Sequence, residues 1–442
     1  MNIRNIALDN VMSILEDKDP LHTVLASSLK GIEDARDKSF VSKLVRGTVE
    51  RAYSLDRIID GISTVKVKKQ KAVIRNILRT AVYQILFMDS VTDFAACDES
   101  VKLAGKRGFK SLSGFVNGVL RNICRKKEEI LLRFEDDKRE NLSFKYSLPD
   151  WITEMLVKAY GKEAARRALE YFLDENRIPI RTNTLKISPE GLKERLGPYL
   201  DANPYLKDSF YINIPGSLEE LKEFKEGLFT VQDMSSVLVG YCAEGLKLKK
   251  GARALDLCAA PGGKSMHLSG LGFEVVSCDI SQQKLDRISE NRERLGADKV
   301  SLRLNDAVVF NTEFEEAFDL VLCDLPCSGL GIIGKKPDIK YNTSFEKINE
   351  LSKLQKSMLI NAVRYIKPDG YLIYSTCTLT GQENKENAAF IEEELKLEGV
   401  RVKNLLPEAV GQNSGDLPYI QILPGEFGSD GFFISCFRKG GV

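Results

Sequence analysis

The chain has 442 residues, 43% hydrophobic and 29% charged, with 33 glycines and 14 prolines. That is length for two or three domains and the composition of a folded, soluble protein, which excludes a disulfide miniprotein, a collagen-like chain and a disordered one. The net charge of +1 conceals an asymmetry, because residues 51–127 carry 16 Lys/Arg against 6 Asp/Glu.

No stretch reaches the roughly 18 uninterrupted apolar residues of a membrane span. The N-terminal MNIRNIALDNVMSILEDKDP carries acids where a secretory leader has an apolar core. A cytoplasmic protein with no membrane partner is expected.

From residue 1 to about 130 the apolar residues recur at three- and four-residue steps, as in Ile6, Val11, Ile14, Leu15 and Val73, Ile77, Leu78, Val82, Leu86. This spacing predicts an all-helical domain of five to seven helices. Its basic excess includes Lys66, Lys68, Lys69, Arg75, Lys106, Arg107, Arg121 and Arg125. A polyanion is the natural partner for such a patch, against the alternative of a merely solvated surface.

A charged stretch, RKKEEILLRFEDDKRE, leads to Pro149 and the only tryptophan, Trp151, which mark a new unit. There a helix pair (ITEMLVKAY, KEAARRALEYFL) precedes an extended run from Ile178 to Leu185, predicting a small α+β connector. The expected boundaries are 1–140, 141–235 and 236–442.

After residue 250 short apolar strands alternate with amphipathic helices. ARALDLC, EVVSCD, SLRLND, FDLVLCD and GYLIYST each end in a polar residue or cysteine before a loop, the rhythm of parallel βαβ units. The last stretch, YIQILPGEFGSDGFFISCFRK, predicts an antiparallel hairpin at the edge of the sheet. In open α/β sheets ligands bind beyond the carboxyl ends of the strands.

The first of these strands runs into Asp256 and then Cys258, Ala259, Ala260, Pro261, Gly262, Gly263 and Lys264. Glycines between strand and helix let backbone approach a ligand, and a helix N-terminus offers free N–H groups. A phosphate-binding loop would need glycine where Cys258 stands, and no GxGxxG is present. A nucleoside-type ligand without phosphates remains. Asp279, closing the next strand, stands about 20 residues on, where an acid bonds ribose hydroxyls. Asp306 follows the third strand, placed for a nucleobase edge, although any of these acids could instead cap a helix.

Nine cysteines are scattered without a CxxC pair, and only His22 and His267 are available. A histidine-based metal site or a Ser-His-Asp triad is therefore not expected, and catalysis must run on Cys, Asp, Glu, Lys or Tyr. Cys97, Cys124, Cys242 and Cys436 read as core packing. Cys327 and Cys377 lie in polar loops after neighbouring strands, where a helix N-terminus or a cation could favour a thiolate.

The order Asp-x-Cys-Ala-Ala-Pro-Gly-Gly-Lys, Asp324-Leu-Pro-Cys-Ser-Gly329 and Ser375-Thr-Cys-Thr378 closely resembles the signature of RNA cytosine-5 methyltransferases that use S-adenosylmethionine. The N-terminal region is similar to the NusB antitermination-factor fold, most clearly at Phe115-Val-Asn-Gly-Val-Leu-Arg121. Together they resemble the small-subunit ribosomal RNA branch of that family over nearly the whole chain, including Arg181-Thr-Asn-Thr-Leu185, Val231-Gln-Asp-Met-Ser-Ser236 and Asp430-Gly-Phe-Phe433.

The resemblance implies a multidomain architecture: an all-α NusB-like domain, an α+β connector and an α/β Rossmann-like class I methyltransferase with a mixed seven-stranded sheet. It implies Cys377 as the nucleophile that adds to carbon 6 of cytosine, Cys327 as the residue assisting release, and Asp324 on the N3/N4 edge. DNA cytosine-5 enzymes lack the Thr-Cys thiol, so RNA, not DNA, is the expected substrate, with a single-stranded or loop cytosine in small-subunit ribosomal RNA as target.

Residues 258–264 would wrap S-adenosylmethionine, with Asp279 on the ribose, Asp306 near adenine, Asp324 near the methionine amino group and Lys264 orienting that carboxylate. Where the family often has Thr and two arginines after Pro-Cys-Ser-Gly, this chain has Leu330 and Gly334-Lys-Lys336, a departure that bears on particular phosphate contacts and not on the thiol chemistry. No metal is expected, and a monomer is. The competing readings are a transfer-RNA methyltransferase and a non-catalytic NusB-like RNA-binding factor.

Overall fold

The computed structural model describes residues 2–135, 141–174 and 177–441. The chain divides into a helical unit, Met1–Asp174 with Ile333–Asn342, and a sheet unit, Glu175–Ile332 with Thr343–Val442.

The helical unit opens with α1 (Ile3–Leu15), α2 (Leu21–Leu29), α3 (Ala35–Ile62), α4 (Ala72–Phe87), α5 (Asp93–Lys106), α6 (Ser113–Arg125) and α7 (Lys127–Glu135). The spacing read from the sequence is thus realised as seven helices. Their starts are set locally: Asn2, Asp34 and Thr92 accept backbone N–H groups of the first turns of α1, α3 and α5. Leu8, Val11 and Ile14 of α1 meet Val41, Leu44 and Val45 of α3 and Ile77, Leu78 and Val82 of α4 in one core. Residues 136–140 of the charged stretch lie outside the described residues.

The unit continues with α8 (Leu142–Lys145), α9 (Asp150–Tyr160) and α10 (Lys162–Tyr171). The break expected near 140 therefore falls inside it, and the compact units divide at 174/175 rather than at 140 and 235. Residues 333–342 join this unit from a point 159 residues beyond Asp174. Within them α16 (Ile339–Asn342; numbering in chain order) inserts Lys340, 2% exposed, whose Nζ donates to the carbonyls of Glu50 at 2.6 Å and Ser147 at 2.7 Å. Tyr53 N–H, in mid-α3, donates to the Tyr341 hydroxyl at 3.1 Å.

In the sheet unit, β1 (Ile178–Thr182), β2 (Leu200–Ala202), β3 (Ser209–Ile212) and β4 (Phe229–Val231) form an antiparallel sheet of order β2-β3-β1-β4. Helices α11 (Pro189–Leu196) and α12 (Lys222–Lys225) accompany it, and Ile180, Leu192, Phe210 and Phe229 are its core.

The larger sheet contains β5 (Arg253–Asp256), β6 (Glu274–Asp279), β7 (Val300–Leu304), β8 (Phe318–Asp324), β9 (Ile366–Thr376), β10 (Glu398–Gly399), β11 (Tyr419–Ile422) and β12 (Phe432–Arg438). Its order is β10-β12-β9-β8-β5-β6-β7, with β11 also on β12. Strands β5 to β9 pair in parallel and β12 antiparallel to β9, so the sheet is mixed, as expected for a Rossmann-like methyltransferase. It has eight strands instead of seven because β10 is two residues long, too short to leave an alternating pattern. Helices α13 (Met234–Gly245), α14 (Gly263–Gly270), α15 (Gln282–Leu295), α17 (Phe345–Tyr365), α18 (Lys385–Glu393) and α19 (Glu408–Gly411) complete the unit. Two apolar cores, one around Val237, Leu268 and Ile288 and one around Leu359, Tyr365 and Tyr374, back the sheet.

Candidate active site at the strand ends

The ends of β5, β6, β7, β8 and β9 carry every catalytic and cofactor-binding residue picked from the sequence or placed just after it. After β5 the chain turns through Gly262, whose φ of +100° is a left-handed conformation that glycine adopts without strain. A Cβ there would press at 3.1 Å on both Ile288 and Met266, so Gly262 also sets the close approach of this turn to α15. Arg181, 2% exposed, fixes the loop from below: its Nε donates to Gln232 Oε1 at 2.8 Å and its Nη2 to the Gly263 carbonyl at 3.4 Å. Burial lowers this guanidinium to about 10. The sequence flagged the segments holding Arg181 and Gln232 but assigned them no role.

Asp279 is 3% exposed and accepts from Ala260 N–H at 3.0 Å, Ile280 N–H at 2.8 Å and Lys284 Nζ at 2.8 Å. A carboxylate has about four acceptor sites, so room for one more donor remains. Asp306 is exposed and accepts from Val308 N–H at 3.0 Å, the turn-capping role that competed with the binding one. Its neighbour Asn305 is the buried polar group there, and its Nδ2 has no partner among the described residues. The sequence reading took the acid and passed over the amide. Ile280 (58% exposed) and Val308 (41%) leave apolar surface beside these groups, suited to the face of a flat ring.

Asp256 is buried beneath the loop and accepts from Ser265 Oγ at 2.6 Å, and Ser277 Oγ continues the chain to Ser265 at 2.7 Å. Its Oδ1 has no partner among the described residues. Burial, with the Asp324 charge adding to it, pushes the Asp256 carboxyl up to about 7. Such a raised value means the folded state holds a proton that the unfolded chain releases near pH 4. The associated stability is fully present below about pH 4 and is lost as pH rises through about 7. Asp256→Asn is therefore expected to melt at a higher temperature than the parent at pH 8, with the gap closing toward pH 4. Thermal unfolding across that range measures it, and equal gaps at both ends would refute the protonated state.

Parallel pairing of β8 with β9 sets Asp324 opposite Ser375. Asp324 accepts from Ser375 Oγ at 2.8 Å and from Lys264 Nζ at 2.7 Å. Lys264 is held inside the site: its side chain is 14% exposed and its Nζ lies 5.4 Å over the Phe432 ring. Burial alone would depress the ammonium. Attraction to Asp324, Asp256 and Cys377 outweighs that and holds Lys264 above its usual value.

Just beyond these strands the two thiols meet, Cys327 Sγ to Cys377 Sγ 3.2 Å, both half-buried and neither in a disulfide. Contact with Cys377, burial and the negative charge of Glu383 push the Cys327 thiol well above its usual value. The loops are tied at Gly331 N–H to the Cys377 carbonyl, 3.0 Å, and Ser328 Oγ to Thr378 Oγ1, 2.6 Å. Gly331 is required there, since a Cβ would collide with the Gly431 carbonyl and crowd that of Cys377 at 2.8 Å. The other cysteines read as packing divide: Cys97, Cys242 and Cys436 are buried, and Cys124 is half-buried, 3.8 Å from Cys97.

The basic residues of the helical unit separate into two groups. Arg75 is paired with Glu16, and Arg107 with Asp9 and, at 2.9 Å, with Asn5. Lys66 Nζ donates to the Asp60 carbonyl at 2.7 Å and Arg125 to Asn122 at 2.7 Å, while both stay exposed, as do Lys68, Lys69, Lys106 and Arg121. Among the described residues no three His, Cys, Asp or Glu side chains gather as metal ligands, and no helix is long and apolar enough to cross a membrane.

A family model described as 16S rRNA methyltransferase RsmB/F matches residues 243–438, and a NusB family model matches residues 1–125. A Bacillus subtilis protein named "Probable ribosomal RNA small subunit methyltransferase B" is 34% identical over 450 aligned positions, covering 100% of this chain and 99% of the relative. The crystal structure of PH0851 covers 99% of both chains with a TM-score of 0.78 at 24% identity, a likeness of fold. A methyltransferase homolog from Pyrococcus horikoshii covers 68% of this chain and 98% of its own, with a TM-score of 0.57 and 25% identity.

Proposed function

The chain belongs to the 16S rRNA methyltransferase RsmB/F family, and from that premise we propose that it methylates carbon 5 of a cytosine in small-subunit ribosomal RNA through a covalent adduct with Cys377. The observation that carries this reading is the pair of thiols 3.2 Å apart with unlike neighbours. Lys264 places a cation within reach of Cys377, and Glu383 an anion beside Cys327. The anion holds Cys327 as a thiol, and the cation on the other side suits Cys377 to the nucleophile's part.

The residues around Asp256, Gly262, Asp279 and Asn305 fit S-adenosylmethionine. They combine a tight glycine turn, a buried carboxylate with spare capacity, two buried polar atoms without protein partners and apolar surface for a ring. When bound, this cofactor supplies an electrophilic methyl group on a sulfonium. Carbon 5 of cytosine is a poor nucleophile until a thiolate adds to carbon 6, pushing the double-bond electrons toward N3 and making carbon 5 an enamine carbon. Asp324, 28% exposed at its side chain, is open to the amino edge of an unstacked base, and the Lys264 ammonium behind it offsets the charge of the adduct. After methylation a water molecule takes the carbon 5 proton, the electrons of that carbon–hydrogen bond rebuild the ring double bond, and the electrons of the carbon–sulfur bond return to Cys377. Cys327 S–H lies where it can hydrogen-bond that departing sulfur.

RNA substituted with 5-fluorocytosine tests the covalent step, because fluorine cannot leave carbon 5 as a proton does. A denaturation-resistant complex that maps to Cys377 is expected with cofactor present. Absence of any complex would favour the non-catalytic RNA-binding reading.

We further propose that the exposed lysines of the helical unit contact phosphates. Replacing Lys68, Lys69 and Lys106 by glutamate is expected to lower RNA affinity and flatten its dependence on log salt by about 3 units, one per phosphate contact, with cofactor affinity unchanged. Arg75→Ala, which leaves Glu16 only Asn76 at 2.7 Å and Arg79 at 3.4 Å, is expected to lower the melting temperature instead. Filter binding over a salt series, alongside thermal melts, separates the two outcomes.

A further inference from the structure

The loop that follows Cys377 carries a carboxylate to which the sequence assigned nothing. Glu383 is fully buried and accepts four hydrogen bonds. Its Oε1 takes Ser328 N–H at 2.8 Å and Gln355 Nε2 at 3.1 Å; its Oε2 takes Thr380 Oγ1 at 2.8 Å and the Ser328 hydroxyl. Every partner donates, a set that a carboxylate accepts without any hydroxyl having to turn. Ser328 is the residue after Cys327, and its hydroxyl, already donating to Glu383, accepts from Thr378, the residue after Cys377. Glu383 thus grips the Cys327 loop from the Cys377 loop and sets a fixed negative charge next to one thiol of the pair.

We propose that Glu383 is a positioning residue for the methyl-transfer reaction, a buried carboxylate that clamps the two thiol loops together and sets a negative charge on the Cys327 side of the pair. The proposal rests on the covalent-catalysis reading above. It explains how two cysteines of the same chemistry, 3.2 Å apart at adjacent strand ends, take different parts. Burial raises both states of such a pair alike, whereas a charge on one side and a cation on the other separates them. The titratable groups facing Cys327 are Cys377, Glu383 and Tyr374; Lys264, paired with Asp324, faces Cys377. No bond is made or broken at Glu383 itself.

Glu383→Gln separates charge from shape. The amide oxygen can keep Ser328 N–H and Gln355, and the amide nitrogen can donate to the Ser328 and Thr380 hydroxyls once these rotate, so the clamp survives and only the charge is lost. Two readouts follow. In a Cys377→Ser background, alkylation of Cys327 by iodoacetamide, followed peptide by peptide in a mass spectrometer, is expected to shift about one pH unit toward acid in Glu383→Gln. That is a roughly tenfold faster reaction at any pH below both midpoints. In the otherwise unaltered protein, Glu383→Gln is expected to lower kcat about tenfold and slow trapping by 5-fluorocytosine RNA. The KM for RNA, cofactor affinity and melting temperature should stay near those of the parent. A purely structural role would move the melting temperature and leave the alkylation profile in place.

An unchanged profile, or parental kcat in Glu383→Gln, overturns the proposal while the parent still traps RNA. A parent that never traps RNA overturns the covalent reading instead, and the alkylation arm, which needs no RNA, still decides the role of Glu383.

Discussion

Cys377→Ala is expected to abolish both methyl transfer and covalent RNA complexes, whereas Cys327→Ala is expected to leave protein covalently attached to natural, non-fluorinated RNA. The first loss should be on the order of 10⁴-fold or more, because without a nucleophile carbon 5 is never activated and the remaining groups only bind. In Cys327→Ala the nucleophile, its cation and the cofactor loop are intact, so addition and methylation proceed. What is lost is the S–H group 3.2 Å from the sulfur that must depart. Collapse of the adduct becomes the slow step, and the complex accumulates on natural RNA with no fluorinated base. Denaturing gels of each variant with RNA and cofactor read both outcomes; adducts in Cys377→Ala with none in Cys327→Ala would reverse the assignment of the thiols.

Lys264→Met is expected to cost roughly 10²-fold in kcat. Its ammonium serves two partners at once, Asp324 through a 2.7 Å hydrogen bond and Cys377 by charge. Methionine fills a similar volume over Phe432 but leaves Asp324 with Ser375 as its remaining hydrogen-bond donor and removes the cation from the thiol pair. Asp324 is then an anion without its cation beside the thiol pair. Trapping by 5-fluorocytosine RNA should slow in proportion to kcat, which places the defect at the addition step. A variant that traps at the parental rate would confine Lys264 to holding the cofactor loop.

Local signals carried much of the fold. The three- and four-residue spacing of Val73, Ile77, Leu78, Val82 and Leu86 became α4, and each apolar run ending before a polar loop became a strand of the larger sheet. The strand-end acids and both thiols were legible because glycine, proline and polar residues cluster there against apolar strands. Less legible were features that depend on distant chain segments. Lys340 looks like one more surface lysine in sequence, and only folding brings it onto carbonyls of Glu50 and Ser147. Glu383 sits among polar residues with no periodicity, and its four donors come from three separate stretches of chain. The burial of Asn305, beside the exposed Asp306, shows only in the fold. The compact units divide at 174/175, beyond the boundary expected at 140, for the same reason. Trp151 and Pro149 start a helix of the helical unit, and their sequence context resembles a boundary because a proline begins a helix as readily as it ends a domain.

The most direct test of the central claim is incubation of the protein with tritiated S-adenosylmethionine and, separately, unmodified small-subunit ribosomal RNA and total transfer RNA, followed by nucleoside analysis. Label in 5-methylcytidine from the ribosomal RNA alone is the predicted result. Label in any other nucleoside, label confined to transfer RNA, or no label in either RNA would contradict it.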